Sequence, residues 1–222
     1  MTYRAWLIGL AGCLLMATTA QAQTQTAPFR ETTHIGATGL GACMWDHVSE
    51  DDRQSALAAF HVANIEGILT HINDFTAALA AKDADFKAAR VQCDARGGAP
   101  AIMYQEVVTA RALRAGAAAE LLASRHIDQA ALDDDWAKAS KPARECIYAS
   151  VLQLFHVAGG GCTDLKSVLE YATRLGLDPK ASADRNDSAL VFMYMNAQGQ
   201  TDVAEALVTD YEAGAEHVAP KS

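Results

Sequence analysis

The chain has 222 residues, with 18 Lys and Arg against 27 Asp and Glu and a formal net charge of -9. Its 50% hydrophobic and 20% charged residues describe a chain able to bury a real core and exclude general disorder. Neither a Lys/Arg cluster nor a polybasic stretch is present, which argues against nucleic acid and against an electrostatic membrane patch as partners.

Residues 1–22 read as a secretory signal, with Arg4 in the basic region, a short apolar run over 5–17 and Ala20-Gln21-Ala22 as the cleavage pattern. The run is too short to anchor comfortably in a bilayer, so the mature chain is expected to carry no integral span. Leu10-Ala11-Gly12-Cys13 resembles a bacterial lipobox, and that resemblance implies lipid attachment at Cys13. The apolar Leu14-Leu15-Met16 departs from the lipobox pattern, and cleavage after Ala22 is the leading expectation. The expected location is periplasmic or secreted. Residues 23–41 are polar and glycine-containing without periodicity, and read as a flexible leader. Residues 42–217 read as one all-α domain and 218–222 as a tail.

Alanine makes up about one residue in five and proline is rare, a composition that favours helices and disfavours a sheet. Ser49 with Asp52 three residues on is a capping-box-like start. The stripe Leu57, His61, Ile65, Ile68, Ile72, Phe75, Leu79 predicts one long helix, or two broken near 64–67. Asp83 opens a short helix with Phe86, Arg90 and Cys93. After a break at 96–100, a helix carries Ile102, Met103, Val107, Ala110 and Leu113 and runs past Gly116 to Arg125. Asp128 caps a short helix through Trp136.

Pro142 sits in the first turn of a helix with Ile147, Val151, Leu154 and Phe155, apolar around much of its circumference and therefore expected at the core's centre. Gly159-Gly160-Gly161 ends it, and Thr163 or Asp164 caps the next. That helix ends at Gly176 in a left-handed cap, with Leu177 making the accompanying apolar contact. Two final helices are predicted on either side of a turn at 198–202. Residues 187–213 weakly resemble a tetratricopeptide-type hairpin, lack most of that family's aromatic signature and repeat at no period of about 34 residues, so they read as a generic helical hairpin. The fold expected is all-α, seven or eight helices packed as antiparallel hairpins and tied by disulfides.

Four cysteines remain after the signal: Cys43, Cys93, Cys146 and Cys162. An even number in an exported chain reads as two disulfides. Helix between Cys146 and about residue 156 spans about 15 Å, and a disulfide needs Cα atoms within about 7 Å. Cys146–Cys162 is thus disfavoured unless the chain folds back along its own helix, which leaves Cys93–Cys146 with Cys43–Cys162, the pairing leaned to, or the crossed alternative Cys43–Cys146 with Cys93–Cys162. No Cys-x-x-Cys supports redox or haem chemistry.

Candidate catalytic residues are Asp46, His47 and His61. An Asp–His pair suits the orientation of a general base, and Cys43 and His47 have the i, i+4 spacing of metal-binding helices but precede the helix start expected at Ser49. His61 and His71 lie about 80° apart on a helix and do not share a tight site unaided. No nucleophile elbow, calcium loop or phosphate loop accompanies them, so neither a metal nor a cofactor is expected. The leading expectation is a non-enzymatic helical binding or scaffold module of the cell envelope, with a protein or small-molecule partner. Two alternatives stand beside it: an unrecognised, metal-assisted hydrolytic site near Asp46, His47 and His61, and a lipid-anchored protein through Cys13.

Overall fold

The computed structural model describes residues 39–61, 63–93, 99–154, 162 and 165–218. The chain divides into Met1–Thr33 and His34–Ser222, and every described residue belongs to the second unit. The signal, Cys13, the leader up to residue 38, the glycine run at 159–161, the caps at 163–164 and the end of the tail lie outside the described residues.

Helices account for the whole of the regular structure among the described residues, as the alanine content predicts. They are α1 (Leu40–Asp46), α2 (Glu50–Leu57), α3 (Ile65–Ala81), α4 (Asp83–Gln92), α5 (Ala101–Arg125), α6 (Gln129–Lys138), α7 (Lys141–Leu154), α8 (Leu165–Arg174) and α9 (Arg185–Val218), with 3-10 turns at Ala58–His61 and Ser182–Asp184. No described helix is long and apolar enough to cross a membrane.

Several helix ends follow directly from local chemistry. Ser49 Oγ accepts the Asp52 N–H, Asn64 Oδ1 accepts the Gly67 N–H and Asp128 Oδ1 accepts the Ala131 N–H. The break between α2 and α3 thus falls at Asn64. Gly176 takes φ 81° and the Leu177 N–H reaches back to the Ala172 carbonyl, the left-handed cap expected there, with Leu177 buried.

Three expectations change. A short helix, α1, precedes Ser49 and begins inside the segment read as leader. The centre of the packing is α5 against α9 rather than the helix at 141–154. The predicted turn at 198–202 lies inside α9, a single helix of 34 residues, so the tetratricopeptide-type hairpin does not exist.

The reason is partner supply. Gln198, Gln200, Thr201 and Asp202 resemble turn residues because they are polar, yet all four are buried. Gln200 donates to Glu106 at 2.6 Å, Gln198 donates to Asp202 at 2.7 Å, the Tyr148 hydroxyl donates to Asp202 at 3.0 Å, and Thr201 donates to the Ala197 carbonyl at 2.9 Å. Each polar group that would otherwise demand water is bonded inside the helix layer. Gly199 serves close approach: a Cβ there would stand 2.4 Å from Ile147 Cγ2 on α7.

A second pairing crosses the same layer. Arg114 on α5 donates to Asp133 at 2.6 Å and to the Tyr194 hydroxyl at 2.9 Å, and Tyr194 donates to Asp133 at 2.6 Å. Burial pushes the Tyr194 hydroxyl up to about 12. The acidic run 133–135 is divided: Asp133 serves this trio, Asp134 pairs with Lys138, and buried Asp135 binds Arg174 at 2.5 Å.

Gly199→Ala should lower stability by about 1–3 kcal/mol, because overpacking against a stiff β-branched side chain outweighs the helix propensity gained. Ile147→Ala in the same chain should make the two losses sub-additive in urea denaturation. Burial raises the Glu106 carboxyl above its ordinary value, opposed by the Gln200 hydrogen bond. A carboxyl raised on folding binds its proton more tightly in the folded state, so its contribution falls as pH rises from about 4.3 through the folded pKa. Glu106→Gln keeps the bond to Gln200, so thermal melts should show it more stable than wild type at pH 7, with the difference vanishing in acid.

Candidate functional site

The site begins with how α1 is held. Glu205 on α9 is 1% exposed, and its carboxylate accepts the backbone N–H of Gly39 at 3.0 Å and of Gly41 at 2.7 Å. Those groups belong to the helix N-terminus, where free donors and the helix dipole favour an anion. Gly41 fits because it has no side chain: a Cβ would meet Arg111 Cγ and Val107 Cγ1, each at 2.8 Å. With that end seated on α5 and α9, the following turns point Met44 and Trp45 into the core, and Trp45 meets Phe75 edge-on at 6.5 Å.

Cys43 and His47, four residues apart, therefore lie on one helical turn. Cys43 is bonded to Cys93, the C-cap of α4, with 5.8 Å between Cα atoms. His47 Nδ1 donates to the Cys43 carbonyl at 2.9 Å and lies 3.8 Å from Cys43 Sγ and 3.7 Å from Cys93 Sγ. The ligand atoms of these three residues all lie within 4.8 Å of one another, the one such group of three among the described residues.

Beside this group lies a cavity of about 350 Å³. Met44, Val48, Leu79, Phe86, Ala89 and Val108 form its apolar floor, drawn from α1, α3, α4 and α5. His47, Ser49, Asp52 and Gln92 form its polar edge. Lys82 approaches Asp52 at 3.7 Å across that edge. Buried apolar side chains with polar groups at the mouth suit a small amphipathic molecule.

The structure separates the three residues singled out from sequence. His47 belongs to the disulfide and the cleft. Asp46 points to solvent, with Arg53 4.0 Å from its carboxylate. His61 is exposed and pairs with Glu120 on α5 at 2.6 Å. His71 Nε2 donates to the Ser55 carbonyl at 3.0 Å. No hydrogen bond or ion pair links Asp46, His47 and His61 to one another among the described residues. Sequence reading missed the cleft residues on α3, α4 and α5, since nothing local marks an apolar side chain as a floor.

The disulfide pairing leaned to is corrected. The bonds are Cys43–Cys93 and Cys146–Cys162, the latter with Cα atoms 4.5 Å apart. The chain does fold back along α7: the Cys162 N–H donates to Ser150 Oγ at 3.3 Å, one turn beyond Cys146. Distance along a helix axis thus does not limit a cysteine that returns beside it.

Loop length orders the two bonds. They close loops with sequence separations of 50 and 16. The chain-entropy relation puts them at about 4 and about 3 kcal/mol. Cys43→Ser with Cys93→Ser should therefore lose more stability in guanidinium unfolding than Cys146→Ser with Cys162→Ser. Comparison with known families, curated proteins and solved structures gave no match to this chain.

Proposed function

We propose that this chain is an exported helical binding module that holds a small amphipathic molecule in the cleft beside Cys43–Cys93 without converting it. The observation that carries the reading is the cleft itself, about 350 Å³ with an apolar floor and a polar mouth, within the size range of small-molecule sites. Its walls come from the five helices α1 to α5 and the α1–α2 junction, so the shape is set by packed elements rather than by one loop. The disulfide closes the α1 and α4 sides onto each other and keeps the cleft preformed, which reduces the ordering cost of binding.

Export supports the same reading from the sequence side. Residues 1–22 have the pattern of a signal, and two disulfides suit an oxidising compartment, periplasmic or extracellular. The hydrolytic alternative has less behind it, because Asp46, His47 and His61 keep separate partners. Anchoring through Cys13 remains a distinct alternative that changes the location and leaves the cleft as it is.

Ala88 is exposed at the cleft wall on α4, so a large side chain there fills the mouth without entering the core. The oxidised protein should bind Nile red with a saturable fluorescence increase, and Ala88→Trp should weaken that binding about tenfold or more. No saturable signal, or one unchanged by Ala88→Trp, removes the reading. Intact mass of the exported protein should give a start at Gln23; a lipid-modified start at Cys13 would place it on a membrane surface instead.

A further inference from the structure

Cys43, His47 and Cys93 bring their possible ligand atoms within 4.8 Å of one another. We infer that, once the Cys43–Cys93 bond is reduced, these three residues form a site for a thiophilic divalent cation of the zinc type. The inference stands apart from the cleft reading: it concerns the reduced protein and needs no organic ligand.

The first argument is distance. A tetrahedral zinc centre has Zn–S of about 2.3 Å and Zn–N of about 2.0–2.1 Å, which puts a ligand nitrogen about 3.6 Å from each ligand sulfur. His47 Nδ1 already stands 3.8 and 3.7 Å from the two sulfurs. The sulfur–sulfur edge must open, to about 3.8 Å in such a centre, and the His47 ring must turn Nδ1 from the Cys43 carbonyl toward the sulfurs. The 5.8 Å between the Cα atoms accommodates that by side-chain rotation.

The second argument is electrostatic. His47 is the C-cap of α1 and Cys93 the C-cap of α4, so two helices bring their carbonyl ends to one place. Helix C-termini favour a cation and disfavour bare thiolates. Asp46 and Asp52 add negative charge on either side of His47 in the chain, and Asp52 lies on the same cleft edge as His47. A cation beside His47 and Cys93 suits both carbonyl ends, while Asp46 and Asp52 keep Arg53 and Lys82 as their own partners.

The third argument is ligand count. Two thiolates and one imidazole supply three of four positions, and His47 lines the cleft. Three protein ligands with one open position is the pattern of zinc sites that admit water or a small molecule.

The proton and electron balance is complete. An external dithiol gives two electrons and two protons to the Cys43–Cys93 bond and is itself oxidised to a disulfide. Metal capture then releases both thiol protons to solvent. The His47 ring proton, on Nδ1 while it bonds the Cys43 carbonyl, sits on Nε2 in the metal-bound form. In the reverse direction an external disulfide accepts the two electrons and two solvent protons to become two thiols, the Cys43–Cys93 bond re-forms and the cation leaves, so the cysteine pair makes the site redox-gated.

The test titrates full-length mature protein with Zn²⁺ against a chromophoric chelator, before and after reduction with a phosphine, with Co²⁺ as a spectroscopic probe. One equivalent should bind to the reduced protein and none tightly to the oxidised one. Co²⁺ should give a thiolate charge-transfer band and tetrahedral d–d bands. His47→Ala should weaken Zn²⁺ binding about tenfold or more and alter the d–d bands. Cys146→Ser with Cys162→Ser should leave binding unchanged. Circular dichroism accompanies each titration. No binding on reduction, equal binding by His47→Ala, binding that follows Cys146 and Cys162, or loss of the helices on reduction would each overturn the inference.

Discussion

A buried carboxylate sets the geometry on which the rest depends. Glu205 lies in the interior of α9, and an ionised carboxylate there is costly unless its oxygens are bonded. Its bonds come from the backbone of Gly39 and Gly41 at the start of α1. Each element therefore solves the other's problem: the helix end needs acceptors for its free donors, and the carboxylate needs donors. Arg111 adds a favourable charge from α5, where burial draws its own pKa down while Glu205 and Asp133 oppose that. The short helix is located by this arrangement, and with it Cys43, Trp45 and His47.

The same logic runs along the α5–α9 seam. A seam of alanine and leucine alone would tolerate sliding, because many registers bury similar area. Glu106 with Gln200, Asp202 with Tyr148, and Arg114 with Asp133 and Tyr194 each fit one register. Any slip leaves several buried polar groups without partners, a penalty of about 1–3 kcal/mol each. Polar residues in the middle of α9 thus specify the packing while adding little net stability.

From the seam to the cleft the dependence is continuous. α9 holds α1, α1 holds Cys43 and His47, and the Cys43–Cys93 bond ties α1 to α4. The cleft floor lies between those two helices and α3 and α5. Binding in the cleft and the redox state of the disulfide therefore share a wall. Met44, Val48, Leu79, Phe86 and Val108 of the floor belong to the packed core, while His47 beside the disulfide belongs to the mouth.

Local chemistry made much of the fold legible in advance. Helix starts at Ser49, Asn64 and Asp128 and the stop at Gly176 follow from capping and backbone preferences that act within about four residues. The all-α class follows from alanine and from apolar periodicity. The short α1, the unbroken α9 and the pairing Cys146–Cys162 were not legible, because each depends on a partner distant in sequence or on a chain reversal. Residues 198–202 look like a turn until Glu106 and Tyr148 are brought against them. His47 carried the right residue type and spacing from Cys43, but its meeting with Cys93, 46 residues on, depends on α1 and α4 ending at the same place. The sequence by itself determined which segments are helical and where most of them begin and end, since propensity and capping are local. Tertiary structure alone decided which buried charges pair, which cysteines join and where the cleft opens, since those outcomes turn on the relative placement of helices.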